Sequence, residues 1–142
     1  MRHRHDQFID NLRNVPLFAK CTNKELKKIA SLQSRVRVKA GTAIAEQGTP
    51  GREFIVIVSG TATVERDGVE IATLAAGDYF GEIALIAQRP RTATVTAATD
   101  LVVDAFSRSE FNQLLEASPD FAPRLYAEAT RRIHETASQH AS

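Results

Sequence analysis

Residues 77–95 read GDYFGEIALIAQRPRTATV, and the rest of the chain is interpreted from this stretch. Gly77 and Gly81 permit backbone conformations, or a close approach of other groups, that a side chain would prevent. Glu82-Ile83-Ala84-Leu85-Ile86 is long enough for about one helical turn, whose first amides lack partners inside the helix and point at an anion. Arg91 follows Glu82 by nine residues and brings a permanent charge in a fork that matches phosphate oxygens. Thr92 adds a hydroxyl, and Thr94-Val95 returns to strand-forming types. Glu82 would repel a phosphate, so its consistent role is to accept hydrogen bonds from a neighbouring hydroxyl such as that of a ribose. Taken singly, Glu82 or Arg91 is readily read as half of an internal ion pair beside a loop. The ordered combination of FGEIAL and RPRTA is not accounted for in that way.

Outward from this stretch the hydrophobic period is that of strands. Val36 and Val38 alternate with basic residues, and Phe54 to Val58 is a continuous apolar run of the kind a fully buried strand shows. Thr61–Arg66 and Val69–Leu74 flank Asp67-Gly68, a two-residue turn that closes a hairpin. Thr94–Ala97 and Leu101–Phe106 give two more strands around Thr99-Asp100. About eight short strands joined by short turns predict a mainly β fold with flanking helices, an eight-stranded roll of jelly-roll type.

Helical signals lie at both ends. Residues 6–14 carry Phe8, Ile9 and Leu12 on one side, and Val15, Leu17 and Phe18 make a small apolar knot. Thr22 with Glu25 is a capping box, followed by Leu26, Ile29, Ala30 and Leu32 at helical spacing. Ser107 with Glu110 is a second box, opening a helix with Phe111, Leu114 and Leu115 on its apolar face. Ser118-Pro119 and Pro123 interrupt the chain, and Leu125, Tyr126, Ala129 and Ile133 predict the stripe of a final helix reaching about Ser138.

Composition excludes more than it assigns. At 142 residues, 43% hydrophobic and 25% charged, the chain suits one globular domain with a single core. One cysteine, Cys21, rules out an internal disulfide framework. No run approaches a membrane span and the N-terminus lacks the apolar core of a secretory signal, so a cytoplasmic setting is expected. Residues 1–39 hold ten Lys/Arg against three acids, a surplus of seven in a chain of net charge +1. No aromatics interleave with them, which favours a solvated helix face over a nucleic-acid surface. All four histidines (His3, His5, His134, His140) lie outside the strand region, so the metal site of a catalytic jelly roll is not expected. Neither a nucleophile elbow nor a phosphate loop of the Walker type is present, and Cys21 has no histidine near it in sequence. The expectation is a binding protein, not an enzyme, with no metal and no cofactor.

At residues 77–95 the sequence resembles the cyclic nucleotide-binding domain family, and the stretch looks like that family's phosphate-binding cassette. In pattern it is similar to the nucleotide-binding domain of bacterial cAMP receptor proteins and to the regulatory subunit of protein kinase A. The resemblance extends to the glycine pattern of residues 39–60 and to the closing helices within residues 106–137. It implies that Arg91 pairs with the cyclic phosphate and that Glu82 holds the ribose 2′-hydroxyl. Backbone amides at Gly81, Ile83, Ala84 and Ala93, with the Thr92 hydroxyl, would complete the oxygen contacts. Val64 would line the base, and Thr136 falls where bacterial members place a base-contacting threonine, although Ala137 replaces the second hydroxyl of that pattern. Tyr126 and Arg132 are the alternative caps for the base.

The expected organisation is a single domain over 1–142, with N-terminal helices in 1–34, the β roll in 35–106 carrying the cassette at 77–95, and C-terminal helices in 107–142. The implied function is a cyclic nucleotide sensor, cAMP more than cGMP, that signals through its final helix to a protein effector or a second copy of itself. The alternative is the sensing fragment of a larger channel, transporter or transcription factor. The chain stops where a DNA-binding domain would begin, so direct DNA binding is not expected.

Overall fold

The computed structural model describes residues 12, 13, 15, 18–86, 88–118, 121–128 and 131. Most of the helix expected at 6–14, the far end of the final helix, Arg132 and Thr136 lie outside them. Among the described residues, eight strands form two four-stranded sheets, with neighbours antiparallel. The first sheet holds β1 (Ser34–Val38), β8 (Leu101–Ser107), β3 (Glu53–Ser59) and β6 (Tyr79–Phe80) in that order. The second holds β2 (Ala43–Ala45), β7 (Thr94–Ala97), β4 (Ala62–Arg66) and β5 (Val69–Leu74). Helix α1 (Asn23–Leu32) precedes the roll, α2 (Glu82–Ile86) interrupts it, and α3 (Arg108–Ala117) follows. Residues 121–128 are again helical.

The apolar run in β3 is explained by burial on both faces. Ile55 and Ile57 face the other sheet and pack with Val95, Ala97, Leu101, Val103 and Ala105. Phe54 and Val56 face outward into a second core with Leu26, Ile29, Phe106, Phe111, Leu114, Phe121 and Leu125. Phe54 is central there, its ring 5.3 Å from Phe111, 5.6 Å from Tyr79 and 5.7 Å from Phe106. Such tilted ring pairs add to the burial itself. On the same outer face Asp104 is buried, and Arg35, directly opposite on β1, donates to both its oxygens at 2.9 and 3.2 Å.

The local signals form as expected. Both capping boxes are closed, Thr22 with Glu25 and Ser107 with Glu110. The β4–β5 turn has φ +54° at Asp67 and +80° at Gly68, the double left-handed turn that matches the twist of a hairpin. The final helix differs. It is already helical at Phe121, so Pro123 sits in the first turn, where its missing N–H costs no hydrogen bond. Phe121 and Leu125, one turn apart, are the buried pair, whereas Tyr126, about 100° further round, is 46% exposed. The expected stripe therefore holds Phe121 in place of Tyr126, and Ala129 and Ile133 lie outside the described residues.

The two helical ends meet. Phe18 and Phe121 rings lie 5.1 Å apart, and Ser118, which caps the end of α3, is buried with its hydroxyl 4.0 Å from the Cys21 sulfur. The Ser118 hydroxyl and the Thr22 amide hold the Glu25 carboxyl below the usual carboxylate range, the serine contributing most. A depressed folded pKa stabilises above the unfolded value and is lost as pH falls through the folded one. The urea midpoint should therefore drop with acid in this range, and Glu25→Gln should flatten that drop. Phe54→Ala should cost about 3–5 kcal/mol in urea unfolding, against about 1 kcal/mol for Ser107→Ala.

Candidate functional site

The site is assembled where the cassette crosses the start of β3. Strand β6 pairs with β3 at Val56↔Tyr79 and Ile55↔Phe80, and the chain then turns at Gly81 with φ +102°. A β-carbon at Gly81 would lie 2.3 Å from the Glu53 carbonyl oxygen and 2.7 Å from Arg91 Nη1. Glycine is thus required twice over, by conformation and by space. Helix α2 begins immediately afterwards, with Ala84 and Leu85 buried. Ala84 rests against Gly51, where a β-carbon would come within 2.2 Å of the Ala84 β-carbon.

The arm that carries Arg91 is sewn to the β2–β3 loop. Pro50 and Pro90 form an antiparallel bridge, the Gly48 amide donates to the Arg91 carbonyl at 2.9 Å, and the Arg91 amide donates to the Thr49 carbonyl at 2.8 Å. With its backbone held, the Arg91 side chain reaches under the cassette. Its Nη2 donates to the Glu53 carbonyl at 3.0 Å, and its guanidinium carbon lies 5.8 Å from the centre of the Phe80 ring, a cation–π distance. Nη1 is buried and has no hydrogen-bond partner among the described residues.

Glu82 is 1% exposed. Burial pushes the Arg91 guanidinium down from its ordinary pKa, while the charges of Glu53 and Glu82 act the other way. With so high a starting value the group remains a cation at neutral pH. The site therefore offers a fixed, partly desolvated positive charge whose Nη1 has no partner among the described residues, and beside it the buried Glu82 carboxyl. An anion is a fitting acceptor for that Nη1, and a hydroxyl-bearing group attached to it would fall beside Glu82.

The other expected residues are placed as follows. Ile83 lies within α2, and Thr92 and Ala93 are half-buried on the arm. Val64 sits on β4 opposite Val95 of β7 and Ala72 of β5, half-buried against the core between the sheets. Thr136 lies outside the described residues. Sequence reading missed Glu53, whose contribution is partly a main-chain carbonyl and so has no residue-type signature, and Gly51, whose identity alone does not set it apart from other loop glycines. It also missed Arg66, whose Nε donates to the Thr92 carbonyl at 3.1 Å. Among the described residues no group of His, Cys, Asp and Glu could hold a metal, and no helix is long and apolar enough to cross a membrane.

Comparison with known proteins gives the site its family. The model of the cyclic nucleotide-binding domain matches residues 35–118. The chain belongs to that family. It is 36% identical over 115 residues to a cAMP-dependent protein kinase regulatory subunit of Aspergillus niger, covering 80% of this chain and 28% of that protein. The corresponding subunit of Yarrowia lipolytica is 40% identical over 106 residues, covering 73% and 28%. The chain thus spans little more than a quarter of the length of these curated relatives. Among solved structures, cAMP-bound PfPKA-R superposes with a TM-score of 0.80 at 28% identity, over 93% of this chain and 47% of that one. A regulatory subunit of a cAMP-independent protein kinase A from Trypanosoma brucei superposes at 0.75 with 25% identity, over 92% and 52%.

Replacing Gly81 by alanine should destabilise the fold by roughly 1–3 kcal/mol from the forced φ, before the clash with the Glu53 carbonyl is added. Gly68→Asn, at φ +80° with open space around it, should change stability by a few tenths of that. Urea unfolding of the two variants measures the contrast.

Proposed function

We propose that the chain is a sensor domain that binds a cyclic nucleotide, with cAMP as its ligand, and that it is not itself a catalyst. The observation that carries this reading is Arg91. Its guanidinium is desolvated, held by one nitrogen on the Glu53 carbonyl, and presents a buried Nη1 with no protein partner among the described residues. A buried charged donor left unused is costly, and a cyclic phosphate oxygen is a fitting acceptor. Glu82, buried beside it, accepts from the ribose 2′-hydroxyl. Amides at Gly81, Ile83, Ala84 and Ala93 and the Thr92 hydroxyl take the remaining oxygens, Val64 lines the base, and Thr136, outside the described residues, is the further candidate for a base contact.

The ligand assignment is supported by relatives whose structures hold cAMP, including the regulatory domain of Toxoplasma gondii PKA, and by a PKAR domain bound to Sp-2Cl-cAMPS. The cAMP-independent relative from Trypanosoma brucei shares the fold, so the fold does not select the ligand; Glu82 and Arg91 do. The second reading is cGMP, since Thr92 is compatible with either nucleotide.

In this reading 1–142 is one sensing unit of three parts, 1–34, 35–106 and 107–142, and the output is a shift of the C-terminal helical residues read by a protein effector or a second copy. That the chain matches 28% of each of two regulatory subunits also favours a sensing module within a larger regulator.

Calorimetry tests the reading directly. The wild type should bind cAMP more tightly than cGMP. Arg91→Ala should weaken binding by about 2–5 kcal/mol, the usual cost of removing one partner of a buried charged contact. Arg91→Lys should restore only part of it, because an ammonium cannot hold the Glu53 carbonyl and the phosphate in one planar fork. A wild type that binds neither nucleotide overturns the proposal.

A further inference from the structure

We propose that Arg66, Gln47 and Asp67 form a clasp that sets the direction of the phosphate-binding arm, making Arg66 a positioning residue for the nucleotide although it lies on the hairpin outside the cassette. The inference rests on the nucleotide-binding reading of Arg91 and deepens it.

Five hydrogen bonds define the clasp. The Gln47 side-chain amide donates to Asp67 Oδ1 at 2.8 Å, while its carbonyl accepts from the Asp67 amide at 2.9 Å. The Gln47 main-chain amide donates to Thr94 Oγ1 at 3.0 Å. Arg66 Nε donates to the Thr92 carbonyl at 3.1 Å, and the Gly48 amide to the Arg91 carbonyl at 2.9 Å. The β2–β3 loop and the tip of the β4–β5 hairpin are thereby locked together, and both grip the arm over residues 91–94. At a left-handed φ of +54°, Asp67 presents both its amide and its side chain to Gln47.

The consequence follows from peptide geometry. There is no cis bond here, so the carbonyl of Thr92 and the amide of Ala93 point in opposite directions across one plane. Holding the Thr92 carbonyl on Arg66 aims the Ala93 N–H away from the hairpin, on the side opposite Arg66. A peptide free to rotate would present that donor in many directions, and a phosphate would have to order it on binding. Arg66 thus contributes to affinity without touching the ligand, and it acts on the phosphate end of the nucleotide more than on the base.

The test compares Arg66→Ala, Arg66→Lys and Gln47→Leu with wild type by calorimetry against cAMP and against adenosine, which lacks the phosphate. Arg66→Ala should lower cAMP affinity roughly tenfold while adenosine affinity stays within about twofold. Arg66→Lys should recover much of the loss, since one N–H to one carbonyl suffices. Where the wild type binds cAMP, equal losses for both ligands in Arg66→Ala, or unchanged cAMP binding by that variant, overturn the clasp and leave the sensor reading intact. If the wild type binds neither ligand, amide hydrogen exchange of the free protein decides. Faster exchange at Gly48 and Arg91 in Arg66→Ala, with Ile57 and Val103 unchanged, supports the clasp, and unchanged exchange at all four overturns it.

Discussion

The site depends on the hydrogen bond from Arg91 Nη2 to the Glu53 carbonyl. A guanidinium taken out of water needs acceptors, and the protein supplies one from the main chain at the very start of β3, where no side-chain rotamer can remove it. That choice has a steric condition. The cassette must pass over the same carbonyl closely enough to bring Glu82 beside Arg91, and a β-carbon at position 81 would stand 2.3 Å from that oxygen. The glycine before Glu82, the φ it adopts and the position of the arginine are therefore one constraint seen from three sides.

Such a constraint requires a rigid β3, and the two-sided burial of that strand provides it. Its inner residues pack on the second sheet and its outer ones on helices, so neither face can be displaced without opening a core. The Asp104–Arg35 pair on the outer face, with its aspartate buried and its arginine partly exposed, adds directional bonds across β1 and β8. Breaking it would leave a carboxylate in the interior, which costs more than the pair itself contributes. Stability and site geometry are in this sense inseparable along β3, while the arm and hairpin tip are held by hydrogen bonds among exposed or half-buried groups.

Much of this was legible in the sequence because the signals are local. The capping boxes at Thr22 and Ser107, the Asp67-Gly68 turn and the continuous run in β3 are each set by a few adjacent residues. The order of glycine, glutamate and arginine was legible for the same reason. Contacts made through main-chain atoms or between distant loops were not. Nothing in the identity of Glu53 announces that its carbonyl holds Arg91, and Gly51 looks like any loop glycine until Ala84 is placed against it. Arg66 reads as a solvated hairpin charge because its acceptor, the Thr92 carbonyl, is 26 residues away. Tyr126 was misread for a different reason. The apolar stripe of its helix is counted from Leu125, beyond Pro123, although a proline in the first turn is compatible with helix from Phe121 onward.

The short helix α2 shows how one site can report to another part of the molecule. Its residues divide between two environments: Glu82 lies beside Arg91, whereas Leu85 belongs to the outer core with Phe54, Phe106, Phe121 and Leu125. Five residues of helix are too few to be stable by themselves, so α2 is held by what it touches at either end. Under the proposed ligand reading, a pull on the Glu82 end would be passed to Leu85, because a single helical turn has little length in which to absorb it. Leu85 shares its packing with the helical residues 121–128, and close-packed side chains respond to such a shift by repacking and not by compressing. The same outer core reaches Phe18 and, through Ser118, Glu25 on α1. One contiguous set of side chains thus connects the Glu82 end of α2 to described residues at both helical ends of the chain, the path along which the proposed sensor would signal.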